Sequence, residues 1–151
     1  MDIHFKKVDP ASEEALNFTE KLFDELDSMY EQGESEEFKE ENNEFDLFIM
    51  AYSEKDDAVA CGALRPVDET TAEIKRMFVL KKHRGSGYSK QVLYELEEIA
   101  RDKGFKRLVL KTGVMQTEAI NLYKQNGFTR TDCFGKYSGD PESLCFEKMI
   151  G

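Results

Sequence analysis

The stretch from Val79 to Phe105, VLKKHRGSGYSKQVLYELEEIARDKGF, constrains the fold of this chain more than any other. It passes from an apolar strand end through a basic glycine turn into a long amphipathic helix. The helix is predicted over residues 87–103, and Gly104 is a typical terminating residue. Its apolar positions recur at helical spacing: Val92, Leu93, Leu96, Ile99 and Ala100. A strand that leads into a one-sided helix predicts a sheet on which that helix packs.

The rest of the chain alternates in the same way between strand and helix patterns. Strands are predicted over residues 3–9, 46–54, 58–67, 72–82, 107–113, 128–134 and 143–149. Helices are predicted between Pro10 and Gly33 and over residues 117–128, with a short acidic helix or loop over 34–45. No repeat or linker interrupts this order. We therefore expect one α/β (α+β) domain over residues 1–151, with a single mixed sheet and flanking helices.

Composition excludes several classes of protein. No window of eighteen apolar residues is present and the first ten residues have no apolar core, so neither a membrane span nor a secretory signal is expected. Two histidines, His4 and His83, cannot form a metal cluster, so no metal is expected. The three dispersed cysteines, Cys61, Cys133 and Cys145, are expected to be reduced thiols, which indicates a cytoplasmic protein.

The net charge of −10 is concentrated near the N-terminus. Residues 1–50 carry 16 acidic and 4 basic side chains, a net −12, which leaves a net +2 for the remainder. Nucleic acid is therefore not an expected partner, whereas a cationic substrate is compatible with this charge. The acidic stretch 31–46 is interpreted either as a solvated face or as a border of the substrate pocket.

The glycine turn has the composition of an anion site. It does not match the sequence of a Walker loop. It does not match a dinucleotide fingerprint either, because Lys90 occupies the position of the third glycine and Lys111 occupies the position of the carboxylate that binds the ribose. Glycines nevertheless allow backbone N–H groups to face inward, and the following helix adds unpaired donors and a partial positive charge. The alternative is an ordinary helix start preceded by a flexible turn.

Two motifs carry a family resemblance. Arg84–Ser89, R-G-S-G-Y-S, resembles the R/Q-x-x-G-x-G/A signature of the GNAT N-acetyltransferase superfamily, and N-L-Y-K-Q-N-G-F at 121–128 resembles its L-Y-x-x-x-G-F element. The resemblance is strong over residues 57–149. It implies a mostly antiparallel sheet of six to seven strands and an N-acetyltransferase that uses acetyl-CoA. The implied acceptor is a primary amine of a small molecule or peptide, and a homodimer is a family-level expectation.

The resemblance also implies the residues that bind coenzyme A. The pyrophosphate is expected on Gly85, Ser86, Gly87, Tyr88, Ser89 and Lys90, next to Arg84. The pantetheine arm is expected along Met77, Phe78 and Val79, with Gln116 and Asn121 as further contacts. The sequence departs from the family at two positions: Ser89 replaces a Gly or Ala, and Gln116 replaces an Asn.

Acetyl transfer to an amine requires one group that accepts a proton and one that donates a proton. Glu73 is the candidate base. The alternative is that Glu73 is a surface strand residue that pairs with Lys75 or Arg76. Tyr123 is the candidate acid for the departing thiolate, with helix packing as the alternative. Tyr137 either lines the acceptor pocket or is an ordinary loop aromatic. At the level of the whole protein, the alternative to the enzyme is a catalytically silent module that senses CoA or a metabolite.

Overall fold

A computed structural model describes residues 3–29 and 47–151. Within these residues, seven strands form one sheet in the order β1-β2-β3-β4-β5-β7-β6, in which only the β4–β5 pair is parallel. The elements in chain order are β1 Ile3–Val8, α1 Glu13–Met29, β2 Leu47–Ser53, β3 Ala58–Pro66, β4 Thr71–Val79, α2 Tyr88–Asp102, β5 Arg107–Gly113, α3 Thr117–Gln125, β6 Thr129–Thr131 and β7 Ser143–Met149. The predicted mixed, mostly antiparallel sheet with flanking helices is confirmed.

The helices α1 and α2 cover opposite faces of the sheet. Alternate residues of β2 belong to different cores: Ile49 lies in the core that contains α2, and Phe48 lies in the core that contains Phe18 of α1. The α2 helix approaches β3 at Gly62, where an added Cβ would lie 2.8 Å from Val92 Cγ1. Glycine at this position therefore lets the helix sit close to the sheet.

The parallel strands β4 and β5 separate after a short pairing. Their register runs only from Thr71↔Arg107 to Ile74↔Leu110, and β4 continues to Val79 with no β5 partner among the described strands. On its other side, the β3–β4 register passes from Ala63↔Lys75 to Cys61↔Phe78, which adds one residue to β4. This bulge contains Arg76, a non-glycine residue with a φ of 60°. The separation of the strands leaves a gap in the sheet at their carboxyl ends.

Several predicted element ends differ from the structure. The strand predicted over 72–82 ends at Val79 because residues 81–83 form a 3-10 turn. The strand predicted over 128–134 contains only Thr129–Thr131, and Gly135–Tyr137 form another 3-10 turn. The predicted acidic element 34–45 lies outside the described residues. Within 3–29 and 47–151, no helix has both the length and the apolar character that a membrane span requires.

The expectation that all three cysteines are reduced is wrong for two of them. Cys133 and Cys145 form a disulfide whose Cα atoms are 5.1 Å apart. Strand pairing explains the bond, because Thr131 lies opposite Cys145 and brings the following residues close to β7. Cys61 is free and buried, and its thiol donates a hydrogen bond to the carbonyl oxygen of Arg76 at 3.1 Å. Burial raises the pKa of the Cys61 thiol, so this thiol is not an activated nucleophile.

Candidate active site

The turn between β4 and α2 presents a run of unpaired backbone donors. The 3-10 turn at 81–83 ends with the Arg84 N–H donating to the Lys81 carbonyl, and the next backbone donor in a hydrogen bond is Gln91 N–H, which bonds to Gly87. Within the described chain, the six N–H groups from Gly85 to Lys90 donate no backbone hydrogen bond. Gly87 caps α2 with a φ of 83°, a left-handed conformation that glycine adopts without a steric penalty.

Four of these six residues line a cavity of about 310 Å³, here called the turn cavity. Its walls include Gly85, Gly87, Tyr88 and Ser89. The helix dipole of α2 places a partial positive charge at the same end, and unpaired N–H groups at a helix N-terminus form a ready anion site. The turn therefore has the geometry that the sequence predicts for a phosphate group.

The Arg84 side chain, which lines the turn cavity, is held by contacts with β4 and α1. Arg84 donates through Nε to the Val79 carbonyl at 2.8 Å, and its Nη2 pairs with Glu25 Oε1 at 2.8 Å. Its guanidinium therefore fastens the turn to β4 and α1. The side chains of Ser86 and Lys90 are exposed and neither residue lines the turn cavity.

A larger cavity of about 410 Å³, the strand cavity, occupies the gap between β4 and β5. Its wall contains residues from α1, β4, β5 and the loop before β7: Leu22, Phe23, Leu26, Glu73, Ile74, Lys75, Arg76, Met77, Lys111, Thr112, Gln116, Tyr123, Tyr137, Asp140, Pro141 and Glu142. Four of these residues also line the turn cavity: Leu22, Met77, Gln116 and Tyr123. The two cavities therefore meet, and Met77, Phe78 and Val79 extend along the turn cavity from that junction.

Glu73 lies in the wall of the strand cavity. It is 8% exposed, so the alternative of a surface strand residue is wrong. Its carboxylate is 3.9 Å from Lys75 Nζ, and Lys75 is also buried. The predicted pairing with Lys75 thus occurs inside the cavity wall, where the carboxylate can face a bound molecule.

Tyr123 stands where the two cavities meet. Its ring packs against Phe128 and Phe146, with ring centroids 5.6 and 6.3 Å away, so the packing alternative describes the ring correctly. Its hydroxyl has no hydrogen-bond partner among residues 3–29 and 47–151. Burial raises the pKa of Tyr123, so the hydroxyl keeps its proton at neutral pH and is able to donate it.

Tyr137 belongs to the loop that closes the strand cavity. It is 6% exposed, its hydroxyl is 3.5 Å from Lys75 Nζ, and Lys111 Nζ lies 5.4 Å from its ring centroid. Asp140 in the same loop accepts hydrogen bonds from Glu142 N–H and from Ser143 Oγ. These hydrogen bonds are the main reason that the pKa of Asp140 is lowered. The Cys133–Cys145 disulfide joins the two ends of this loop.

The two remaining predicted contacts differ in position. Gln116 lines both cavities, and its Oε1 accepts a hydrogen bond from Gly113 N–H at 2.7 Å. Asn121 is exposed on α3 and lines neither cavity. Sequence reasoning missed Phe23, Lys75, Arg76 and Lys111 as cavity residues. Only the alternation of β4, which puts residues 73 and 75 on one side, offered a signal for any missed position.

The mixed sheet has one diverging parallel pair, and the turn cavity and the strand cavity meet beside it. The sequence model described as "Acetyltransferase (GNAT) family" matches residues 13–128. This chain belongs to that family.

Three comparisons indicate how similar its relatives are. An "IAA acetyltransferase" from Azospirillum brasilense is 36% identical over 106 residues, which cover 70% of this chain and 69% of that protein. A candidate acyl-CoA N-acyltransferase from Klebsiella pneumoniae has a crystal structure with a TM-score of 0.85, 26% identity, and coverage of 99% of this chain and 98% of that one. A GNAT family acetyltransferase from Elizabethkingia anophelis with acetyl-CoA bound shares the fold at a TM-score of 0.71 and 18% identity, with coverage of 98% of each chain.

Proposed function

We propose that this protein transfers the acetyl group of acetyl-CoA to a primary amine of a small molecule or peptide. The observation that carries the proposal is the run of six unpaired N–H groups from Gly85 to Lys90 at the N-terminus of α2. The Elizabethkingia relative with bound acetyl-CoA supports it through the shared fold. The pyrophosphate of the donor binds these N–H groups, and the pantetheine arm follows Val79, Phe78 and Met77 toward Tyr123.

The remaining residues of the site take two chemical roles. The acceptor amine loses a proton to Glu73, and its nitrogen attacks the thioester carbonyl carbon. The C–S bond then breaks, the electron pair leaves on sulfur, Tyr123 donates its proton to the thiolate, and the second proton of the attacking nitrogen passes to the Tyr123 phenolate. Because a free alkyl ammonium has a pKa near ~10, a base is needed at neutral pH. Asn121 plays no part in this proposal, because it lies outside both cavities.

One backbone donor can be removed to test the donor site. Ser89 is the second residue of α2, where proline is tolerated but has no N–H. We expect Ser89→Pro to weaken acetyl-CoA binding by about 10- to 100-fold, the effect of one charge-assisted hydrogen bond. Ser89→Ala is the matched control, because it removes only the hydroxyl. Calorimetry with acetyl-CoA measures both variants, and circular dichroism checks that α2 persists.

A shortened donor makes this test specific. Acetyl-pantetheine has no pyrophosphate, so its saturation kinetics should be the same for Ser89→Pro and Ser89→Ala. Equal acetyl-CoA affinities for the two folded variants would refute the pyrophosphate assignment. Thiol release from acetyl-CoA that depends on an added amine separates the enzyme from the silent sensor, which would bind acetyl-CoA without turnover.

A further inference from the structure

His83 lines the turn cavity next to the glycine turn. It is the last residue of the 3-10 turn that leads from β4 toward α2, and it is partly buried. Its ring makes a T-shaped contact with the ring of Tyr88 at a centroid distance of 6.1 Å, and Tyr88 lines the same cavity. In the described part of the chain, the imidazole has no hydrogen bond and no ion pair. Lys81 and Lys82 of the same 3-10 turn are exposed and line neither cavity.

The other charged side chains in the wall of the turn cavity have little net charge. Glu25 of α1 pairs with Arg84 at 2.8 Å, so their charges cancel. Glu118, in the first turn of α3, is exposed and is the third charged residue of this wall. The β4 residues in the wall are uncharged, and its other titratable residues are Tyr88 and Tyr123. With a neutral imidazole the wall therefore has a net charge of −1, and an imidazolium at His83 brings it to zero.

An anion in this cavity and a proton on the imidazole stabilise each other. Of the side-chain types in the wall, histidine is the one that ordinarily changes charge between pH ~5 and ~8. An anion bound nearby favours the protonated form, which donates from both ring nitrogens. Because such a coupling is reciprocal, the protonated form binds the anion more tightly.

We propose that His83 is a further binding residue for the diphosphate of the donor, and that the donor binds together with a proton on this imidazole. The proposal rests on the proposed function, which puts acetyl-CoA in the turn cavity. Because the bound anion favours the imidazolium, donor affinity is highest at the acidic end of the histidine range and falls as the pH rises through it. A higher pH helps the acceptor amine to lose its proton, so the donor side and the acceptor side have opposite pH dependences.

Acetyl-dephospho-CoA is the ligand that tests this proposal. Its diphosphate keeps the same charge between pH ~6 and ~8, whereas the 3′-phosphate of acetyl-CoA titrates near pH ~6 itself. Calorimetry in two buffers with different ionisation enthalpies measures the protons taken up when the ligand binds. We expect the parent to take up about 0.3 to 0.5 proton near pH ~7 and to lose about 2- to 6-fold in affinity from pH ~6 to pH ~8. These values correspond to an anion that favours imidazolium over imidazole by about 3- to 10-fold.

Three variants isolate His83 from the other titrating groups. His83→Gln should take up about 0.3 to 0.5 proton fewer than the parent, because glutamine does not titrate. His83→Arg has a fixed positive charge, so it should show the same loss of uptake and should bind at pH ~8 at least as tightly as the parent. His4→Gln is the matched control, because His4 is the other histidine of the chain, pairs with Asp56 at 3.2 Å and lines neither cavity. It should take up protons as the parent does.

The results separate this inference from the proposed function. Equal proton uptake in the parent and His83→Gln, or equal uptake when the ligand is acetyl-pantetheine, which has no diphosphate, would overturn the role of His83 and leave acetyl transfer standing. A folded parent that binds neither acetyl-CoA nor acetyl-dephospho-CoA at any pH would overturn the proposed function itself. Uptake that is lost in both His83 variants and kept in His4→Gln would establish the proton-linked site.

Discussion

Tyr123→Phe separates chemistry from packing at the junction of the two cavities. The ring, which packs against Phe128 and Phe146, is unchanged, and the hydroxyl that is removed has no partner in the described part of the chain. Deleting a buried hydroxyl with no hydrogen bond is nearly neutral, so the free energy of unfolding should change by less than about 0.5 kcal/mol. If the hydroxyl protonates the departing thiolate, kcat should fall by about 100-fold, which is about 2.7 kcal/mol of transition-state stabilisation.

A second buried tyrosine provides the opposite control. The Tyr52 hydroxyl donates to Glu14 Oε2 at 2.7 Å, joining α1 to β2, and Tyr52 lines neither cavity. Tyr52→Phe should therefore cost about 1–2 kcal/mol of stability and leave kcat unchanged. Urea unfolding and thiol release, measured on both variants and the parent, give four differences from the parent, and the expected patterns for the two variants are opposite.

The pH dependence adds a further check on Tyr123. Burial raises the pKa of Tyr123, so its donor form is present at neutral pH and is lost only as the pH rises above the ordinary tyrosine value. The parent should show no loss of kcat from this group below pH ~10. The KM for acetyl-CoA should be the same in Tyr123→Phe, because a proton that moves in the transition state adds little to ground-state binding. Turnover near the parent level in a folded Tyr123→Phe protein would refute the role of the hydroxyl.

Two further predictions concern the base and the loop. The Glu73→Gln variant should have a lower rate than the parent at neutral pH, and its rate should partly recover at high pH, where the amine is already neutral. A pH–rate profile identical to that of the parent would contradict the assignment of Glu73 as the base. Reduction of the Cys133–Cys145 disulfide should cost about 2–4 kcal/mol of stability and raise the acceptor KM, because the bond closes the loop that carries Tyr137 and Asp140 into the strand cavity. Acetyl-CoA affinity should be unchanged, and a loss of that affinity would show that the loop also supports the donor site.

The parts of the site that depend on local sequence were predictable. The helix expected over 87–103 is α2, Tyr88–Asp102, because one amphipathic period and one glycine at each end determine it. The anion turn follows from the same stretch. Its charged side chains do not, because Arg84 pairs with Glu25, a residue of α1 that is distant in sequence. Local motifs therefore predict the glycine turn, whereas the partner of Arg84 depends on tertiary contacts.

The parts that depend on register between strands were not predictable. The bulge at Arg76 arises from how β4 aligns with β3. The local sequence pattern of β4 does not predict a positive φ at Arg76. The disulfide likewise requires the pairing of β6 with β7 that places Thr131 opposite Cys145. Both features determine which side chains enter the strand cavity, so the acceptor side of the site appears only in the folded chain.

The single parallel pair among the described strands explains why the two cavities meet at Tyr123. Parallel strands require a crossover, and here α2 makes it, so the chain leaves the carboxyl end of β4 directly into the anion turn. The carboxyl end of β5 lies at the same edge and leads into α3, which carries Tyr123. Because the strands separate after Ile74 and Leu110, the gap opens between these two ends, where ligands of α/β sheets commonly bind. The topology therefore brings the turn cavity and the strand cavity of the proposed site together.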